Sequence, residues 1–153
     1  MKNKMKIDKV LVISGPNLNL LGTREPDIYG STTLEIIHQN LKKIGEKNNL
    51  DVSCKQSNSE SEIIKWIQKS KNYYNSIIIN AGAFTHTSIA IRDALLAFGG
   101  DIIEVHLSNT FKRETFRHHS FISSISRGLI AGFGAESYYL ALEALVKSNE
   151  KNK

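Results

Sequence analysis

Glu104 and His106 stand two residues apart in the apolar run Ile102–Leu107. In a strand, such a spacing puts both side chains on one face. A carboxylate beside an imidazole fixes its tautomer and stabilises its protonated form, so the histidine can serve as a general acid. The competing reading is a structural ion pair at a sheet end. We favour the functional one, because a strand interior otherwise disfavours buried charge. A second pairing lies near the start of the chain, where Arg24 precedes Tyr29 within the segment Gly15–Gly30. A phenol with its ordinary pKa of about 10 is a poor base at neutral pH. A nearby cation lowers that value by favouring the phenolate. Arg24 is the near candidate, and Arg113 can reach from a later loop. The same residues also read as an aromatic packing anchor beside an exposed arginine, and both readings stand at this level.

Other polar residues fall where a ligand would need them. Asn17, Asn80, Ser108 and the backbone amides of glycine-containing turns supply neutral donors for a hydroxylated substrate or a developing oxyanion. Taken singly, asparagine and glycine are what turns use anyway. His86 can bind a ligand or cap a helix, and Arg117 can pair with a carboxylate or sit in solvent. His118 and His119 are adjacent and point apart, which suits surface positions. His38 lies in a helical pattern and reads as structural.

These residues need a scaffold. Five apolar runs rich in β-branched residues recur along the chain: Val10–Ile13, Leu50–Cys54, Ser76–Ile79, Ile102–Leu107 and Gly128–Phe133. Their continuous apolar character indicates strands buried on both faces, hence a parallel sheet. Helical patterns lie between them. Thr32-x-x-Glu35 reads as a capping box for a helix to about Asn48, and Ser59-x-x-Glu62 as another for a helix through Trp66 and Ile67. A third helix covers about Thr87–Phe98 and stops at Gly99-Gly100. The last runs from about Glu136 to Lys147. The piece Asn109–Ser126 reads as irregular and partly helical. Alternating βα units with right-handed crossovers give a doubly wound sheet. Five strands favour the flavodoxin-like α/β order 2-1-3-4-5, with ligands beyond the carboxyl ends of the strands. Gly15-Pro16-Asn17, Asn80-Ala81-Gly82-Ala83 and His106-Leu107-Ser108-Asn109 all fall at those ends. The segment Gly15–Gly30 is long for a strand-to-helix loop and rich in glycine and proline, so it reads as an active-site lid.

The chain has 153 residues, 41% of them hydrophobic and 23% charged. That suits one soluble catalytic domain over 1–153, with residues 1–8 and 148–153 as tails. No apolar run approaches the roughly 20 residues that span a bilayer, and the start has no signal-peptide core. The single cysteine, Cys54, suits a cytoplasmic protein and reads as a small buried thiol. The net charge of +5 comes largely from lysines near the two ends. No basic stripe interleaved with aromatics points to nucleic acid, and the balance mildly favours an anionic small molecule. There is no Gly-Lys-Ser/Thr phosphate loop, no G-x-G-x-x-G after the first strand and no nucleophile elbow. Zinc-ligand spacing and an acidic magnesium cluster are absent as well.

In order along the chain, the motifs are Gly15-Pro16-Asn17-Leu18-Asn19-Leu20-Leu21-Gly22, Arg24-Glu25-Pro26-x-x-Tyr29-Gly30 and Gln56-Ser57-Asn58-Ser59-Glu60. They continue with Asn80-Ala81-Gly82-Ala83-Phe84-Thr85-His86-Thr87-Ser88, Arg92-Asp93, Glu104-Val105-His106-Leu107-Ser108-Asn109, and Arg113 and Arg117 followed by His118 and Ser120. Over about residues 8–147 this closely resembles the type II 3-dehydroquinate dehydratases of the shikimate and quinate pathways. The departures are minor: Ser61 stands where the family often has glycine, and the lysine-rich ends are extra.

The resemblance implies anti elimination of water from 3-dehydroquinate through an enolate, with no metal, cofactor or covalent intermediate. It gives Tyr29 the part of the base at C2, with Arg24 and Arg113 as the cations that keep it ionised. Asn17 positions a water against the enolate oxygen. His106 is the acid for the departing C1 hydroxyl, supported by Glu104. Asn80, His86 and Arg117 hold the ring hydroxyls, with Gly82 in the same turn, while Leu107 and Ser108 take the carboxylate. Asp93 reaches a neighbouring subunit's site, in a dodecamer built from trimers. Two other functions compete with this reading: an anionic-metabolite binder of flavodoxin-like fold without turnover, and a flavin-binding electron carrier. The lack of an aromatic-rich ligand loop argues against the second.

Overall fold

A computed structural model describes residues 8–23, 25–29 and 31–151, and for Tyr29 the backbone alone. Five parallel strands form one sheet in the order β2-β1-β3-β4-β5. They are β1 (Asp8–Ser14), β2 (Leu50–Gln56), β3 (Ser76–Asn80), β4 (Asp101–His106) and β5 (Gly128–Ala131). The order is the one expected from the apolar runs. Alternation along the strands divides the core in two. Val10, Val12, Ile78, Ile103 and Val105 point to one face, under α2 (Leu34–Lys47) and α5 (Glu136–Lys151). Leu11, Ile13, Ile77, Ile79 and Ile102 point to the other, under α3 (Glu60–Ser70) and α4 (Ile89–Phe98). A single helical turn, α1 (Pro26–Tyr29), lies within the long loop after β1.

Several element ends differ from expectation, each for a local reason. The cap of α2 is Thr33 rather than Thr32: it is extended at φ −78°, ψ 157°, and its hydroxyl accepts from the Ile36 amide. Of two adjacent threonines, only the one with strand-like dihedrals just before the first helical residue can make that bond. Ser59 caps α3 as the pattern required, accepting from the Glu62 amide. The third expected helix starts later than Thr87. Gly82–His86 first forms a 3-10 turn, and Ser88 then caps α4. Strand β5 ends at Ala131, two residues early, because Gly132 turns to φ +96°. Residues 148–151, expected as tail, continue α5, where Ser148 bonds to the Ala144 carbonyl and accepts from Arg127.

One glycine fixes how the sheet edge is built. The Gly15 amide donates to the Asn80 carbonyl at 2.8 Å, drawing the end of β1 against the turn after β3. A Cβ on Gly15 would lie 2.4 Å from the Ala81 carbonyl oxygen, which is backbone and cannot rotate away. Gly15→Ala should therefore destabilise the fold by about 1–3 kcal/mol through overpacking. Thermal unfolding would show a Tm drop of roughly 2–4 °C for each kcal/mol lost. An unchanged Tm would mean that the two loops can part without cost.

Candidate active site

The loops after β1, β3 and β4 meet at the carboxyl edge of the sheet around a cleft of about 230 Å³. The first loop contributes Pro16, Asn17, Leu18 and Leu21, and the second Asn80, Gly82, Ala83 and His86. The third supplies His106, Leu107, Ser108, Thr110, Arg113 and Arg117. Two arginines and two histidines on the wall of so small a cleft suit an anionic metabolite. A second, more open hollow of about 720 Å³ shares Leu107, Ser108 and Arg113 with the first. Its far wall carries Glu25, Asp27 and Ile28 of the long loop. Arg113 thus stands between the cleft and the loop that the sequence marks as a lid.

Glu104 and His106 share a strand face, as their spacing requires. The Glu104 carboxylate lies 3.5 Å from His106 Nε2, and both residues are buried, Glu104 to 1% exposure. Burial opposes ionisation of Glu104, but the facing His106 ring and the hydrogen bonds from Ser120 and Ser123 outweigh it and hold the carboxyl below its ordinary range. The His86 ring is stacked beside that of His106, with centroids 6.4 Å apart. His86 Nδ1 meets the His119 carbonyl at 2.7 Å. A carbonyl can only accept, so Nδ1 carries the proton and Nε2 is left as an acceptor for a ligand hydroxyl. Burial, with lesser help from the charges of His106 and Arg117, lowers the His86 pKa and keeps the ring neutral.

Asn80 is buried, and its side-chain oxygen accepts from the Gly82 amide at 3.2 Å. Behind it lies a group that sequence reasoning missed. Tyr138 of α5 is fully buried, and its hydroxyl shares a hydrogen bond with Ser14 at 2.9 Å. Burial drives its phenol up to about 12, so Tyr138 is a neutral support at this end of the sheet and not a base. Its only sequence signal was an aromatic on the inner face of the last helix. Asn17 is exposed in a left-handed conformation at φ 67°, with its amide bonded to the Asn58 side chain. That gives the Gln56–Glu60 motif a place: Gln56 donates to the Gly15 carbonyl and to Asn58, bracing the loop that carries Asn17.

Ser108 is buried, and its hydroxyl accepts from Arg113 at 3.4 Å. Arg117 pairs with Glu114 at 2.7 Å on the rim of the cleft. Asp93 is exposed on α4 and does not line the cleft. Arg24 lies outside the described residues, as does the side chain of Tyr29. Cys54 is half-buried, and burial pushes its thiol up to about 12, so it is no nucleophile. Among the described residues no group of three or more His, Cys, Asp or Glu side chains is placed to hold a metal ion. None of the described helices is long and apolar enough to cross a membrane.

The model of the family described as "Dehydroquinase class II" matches residues 8–146. The chain belongs to that family. As a class II dehydroquinase it is an enzyme of the hydro-lyase type. A protein of Polynucleobacter asymbioticus named 3-dehydroquinate dehydratase is 56% identical to it over 138 residues, covering 90% of this chain and 93% of that one. One of the same name from Dictyoglomus turgidum is 53% identical over 137 residues, covering 90% and 94%. The crystal structure of type II dehydroquinase from Propionibacterium acnes matches with a TM-score of 0.88 and 43% identity. That match covers 92% of this chain and 97% of the other.

Proposed function

We propose that this dehydroquinase removes water from 3-dehydroquinate to give 3-dehydroshikimate in the shikimate pathway, by anti elimination through an enolate. The observation that carries the proposal is the buried Glu104–His106 pair opening onto a small cleft walled by Arg113 and Arg117. Tyr29, as phenolate, takes the proton from C2, and the electron pair moves into the ring carbonyl to form the enolate. Arg24 and Arg113 hold the phenol ionised. Asn17 positions a water against the enolate oxygen, where a neutral donor stabilises charge that develops only as the proton leaves. His106 then gives its proton to the C1 hydroxyl, which departs as water while the enolate collapses to the conjugated enone. Glu104 supports the imidazolium. Neutral His86 accepts from a ring hydroxyl, Asn80, Gly82 and Arg117 hold the others, and Leu107 and Ser108 receive the carboxylate. The family likeness also supports a dodecamer built from trimers, with Asp93 directed at a neighbour's site, in a cytoplasmic enzyme of one domain.

The test is to incubate the purified protein with 3-dehydroquinate and follow the ultraviolet absorbance of the enone. Growth of that band supports the reading. A folded protein that binds the substrate and forms no product is a binder, and the reading fails. Arg24 can be tested in the same assay. Arg24→Ala removes a cation that favours the phenolate, so the base ionises later. The rising limb of the pH–rate profile should move to higher pH by about 1–3 units. A limb that stays in place would mean that Arg24 does not hold the phenol ionised.

A further inference from the structure

We propose that Ser120 and Ser123 are positioning residues for this reaction, clamping both oxygens of Glu104 and through it setting the ring and the proton of His106. The inference rests on His106 being the general acid. Both serines lie in the irregular segment after Arg117, across from the end of β4. Ser120 donates to Glu104 Oε1 through a short hydrogen bond. The Ser120 proton has nowhere else to go, because Ser120 Oγ itself accepts the amides of Ile122 and Ser123, each at 3.0 Å. Ser123 Oγ lies 2.5 Å from Glu104 Oε2, the oxygen that also faces His106 Nε2. Hydroxyl hydrogen bonds to both Glu104 oxygens favour the ionised form of the carboxyl over the neutral one. A fixed anion at Nε2 requires a proton there, so in the neutral ring Nδ1 is the bare nitrogen.

The clamp is itself held. Ile122 is fully buried in the core under α3 and α4. The Phe121 amide donates to the Thr85 carbonyl, and Arg92 donates to the Phe121 carbonyl at 2.6 Å and to Ser124 at 2.8 Å. The His119 carbonyl in the same segment receives His86. One stretch of chain thereby orients two site histidines, one through a carbonyl and one through two serines and a glutamate.

Ser123→Ala is the decisive variant, because it removes a donor to Glu104 and leaves the two amide bonds at Ser120 in place. We expect kcat to fall roughly 10-fold to 100-fold with KM little changed, as when a group that orients a catalytic side chain is lost. Ser123→Thr, which keeps the hydroxyl, should recover most of the rate. The limb of the pH–rate profile that reports the general acid should move in Ser123→Ala and not in Ser123→Thr. Nitrogen-15 NMR of the His106 ring gives a readout that needs neither turnover nor a variant. The wild-type neutral ring should carry its proton on Nε2, and Ser123→Ala should mix the tautomers. A wild-type ring protonated on Nδ1, or variants with wild-type kcat, pH profile and ring spectrum, would overturn the clamp. Wild-type protein that forms no product would instead refute the dehydratase reading, while the ring spectrum would still decide the clamp.

Discussion

Replacing His106 by alanine should lower kcat by a factor of about 10²–10⁴, the usual worth of a positioned acid or base. KM should change far less, because Arg113, Arg117 and Ser108 still line the cleft. The loss should fall on one step only. With Tyr29 intact, the C2 proton can still leave and return, so the variant should exchange that proton with deuterated water while forming little product. Steady-state kinetics combined with proton NMR of the substrate would separate the two. A variant that eliminates water at the wild-type rate would remove His106 from the acid role and with it the reason for burying Glu104.

Tyr29→Phe should be as damaging, by about 10²–10⁴ in kcat or more, and different in kind. The substitution deletes one oxygen and keeps the ring, so calorimetric titration should find substrate affinity largely retained. Both product formation and C2 proton exchange should vanish, because no group remains to take the proton. Exchange that persists in Tyr29→Phe would point to another base. Run side by side, the two variants order the reaction: exchange without elimination in one, neither in the other. A concerted elimination would instead lose exchange in both.

How much of this could be read from the residues depended on range. The strand set and its order were legible because parallel strands buried on both faces are apolar throughout. The Glu104–His106 pair was legible because two residues in one strand share a face whatever the rest of the molecule does. Element ends were less so. Thr32 and Thr33 offer the same hydroxyl one residue apart, and only backbone dihedrals choose between them. The supports of the site were the least legible. Ser123 lies in a segment with neither helical nor strand period, so nothing in the sequence aims its hydroxyl at a glutamate in β4. Tyr138 reaches Ser14 across most of the chain's length. The roles of Arg24 and Tyr29 rest on chemistry and family likeness, since neither side chain is among those described.

The parallel register has a consequence for how the protein comes into being. Val10 lies beside Ser76 across β1 and β3, and Ile77 beside Ile102 across β3 and β4. The cleft borrows from all three strand ends, so it cannot form from neighbouring residues alone. Helices such as α2 and α3 close on local bonds in microseconds, whereas distant strand pairings wait on slow loop closure. A chain leaving denaturant will therefore look largely helical well before it can turn over a single molecule of substrate. Recovery of catalysis becomes a clock for the closing of the sheet.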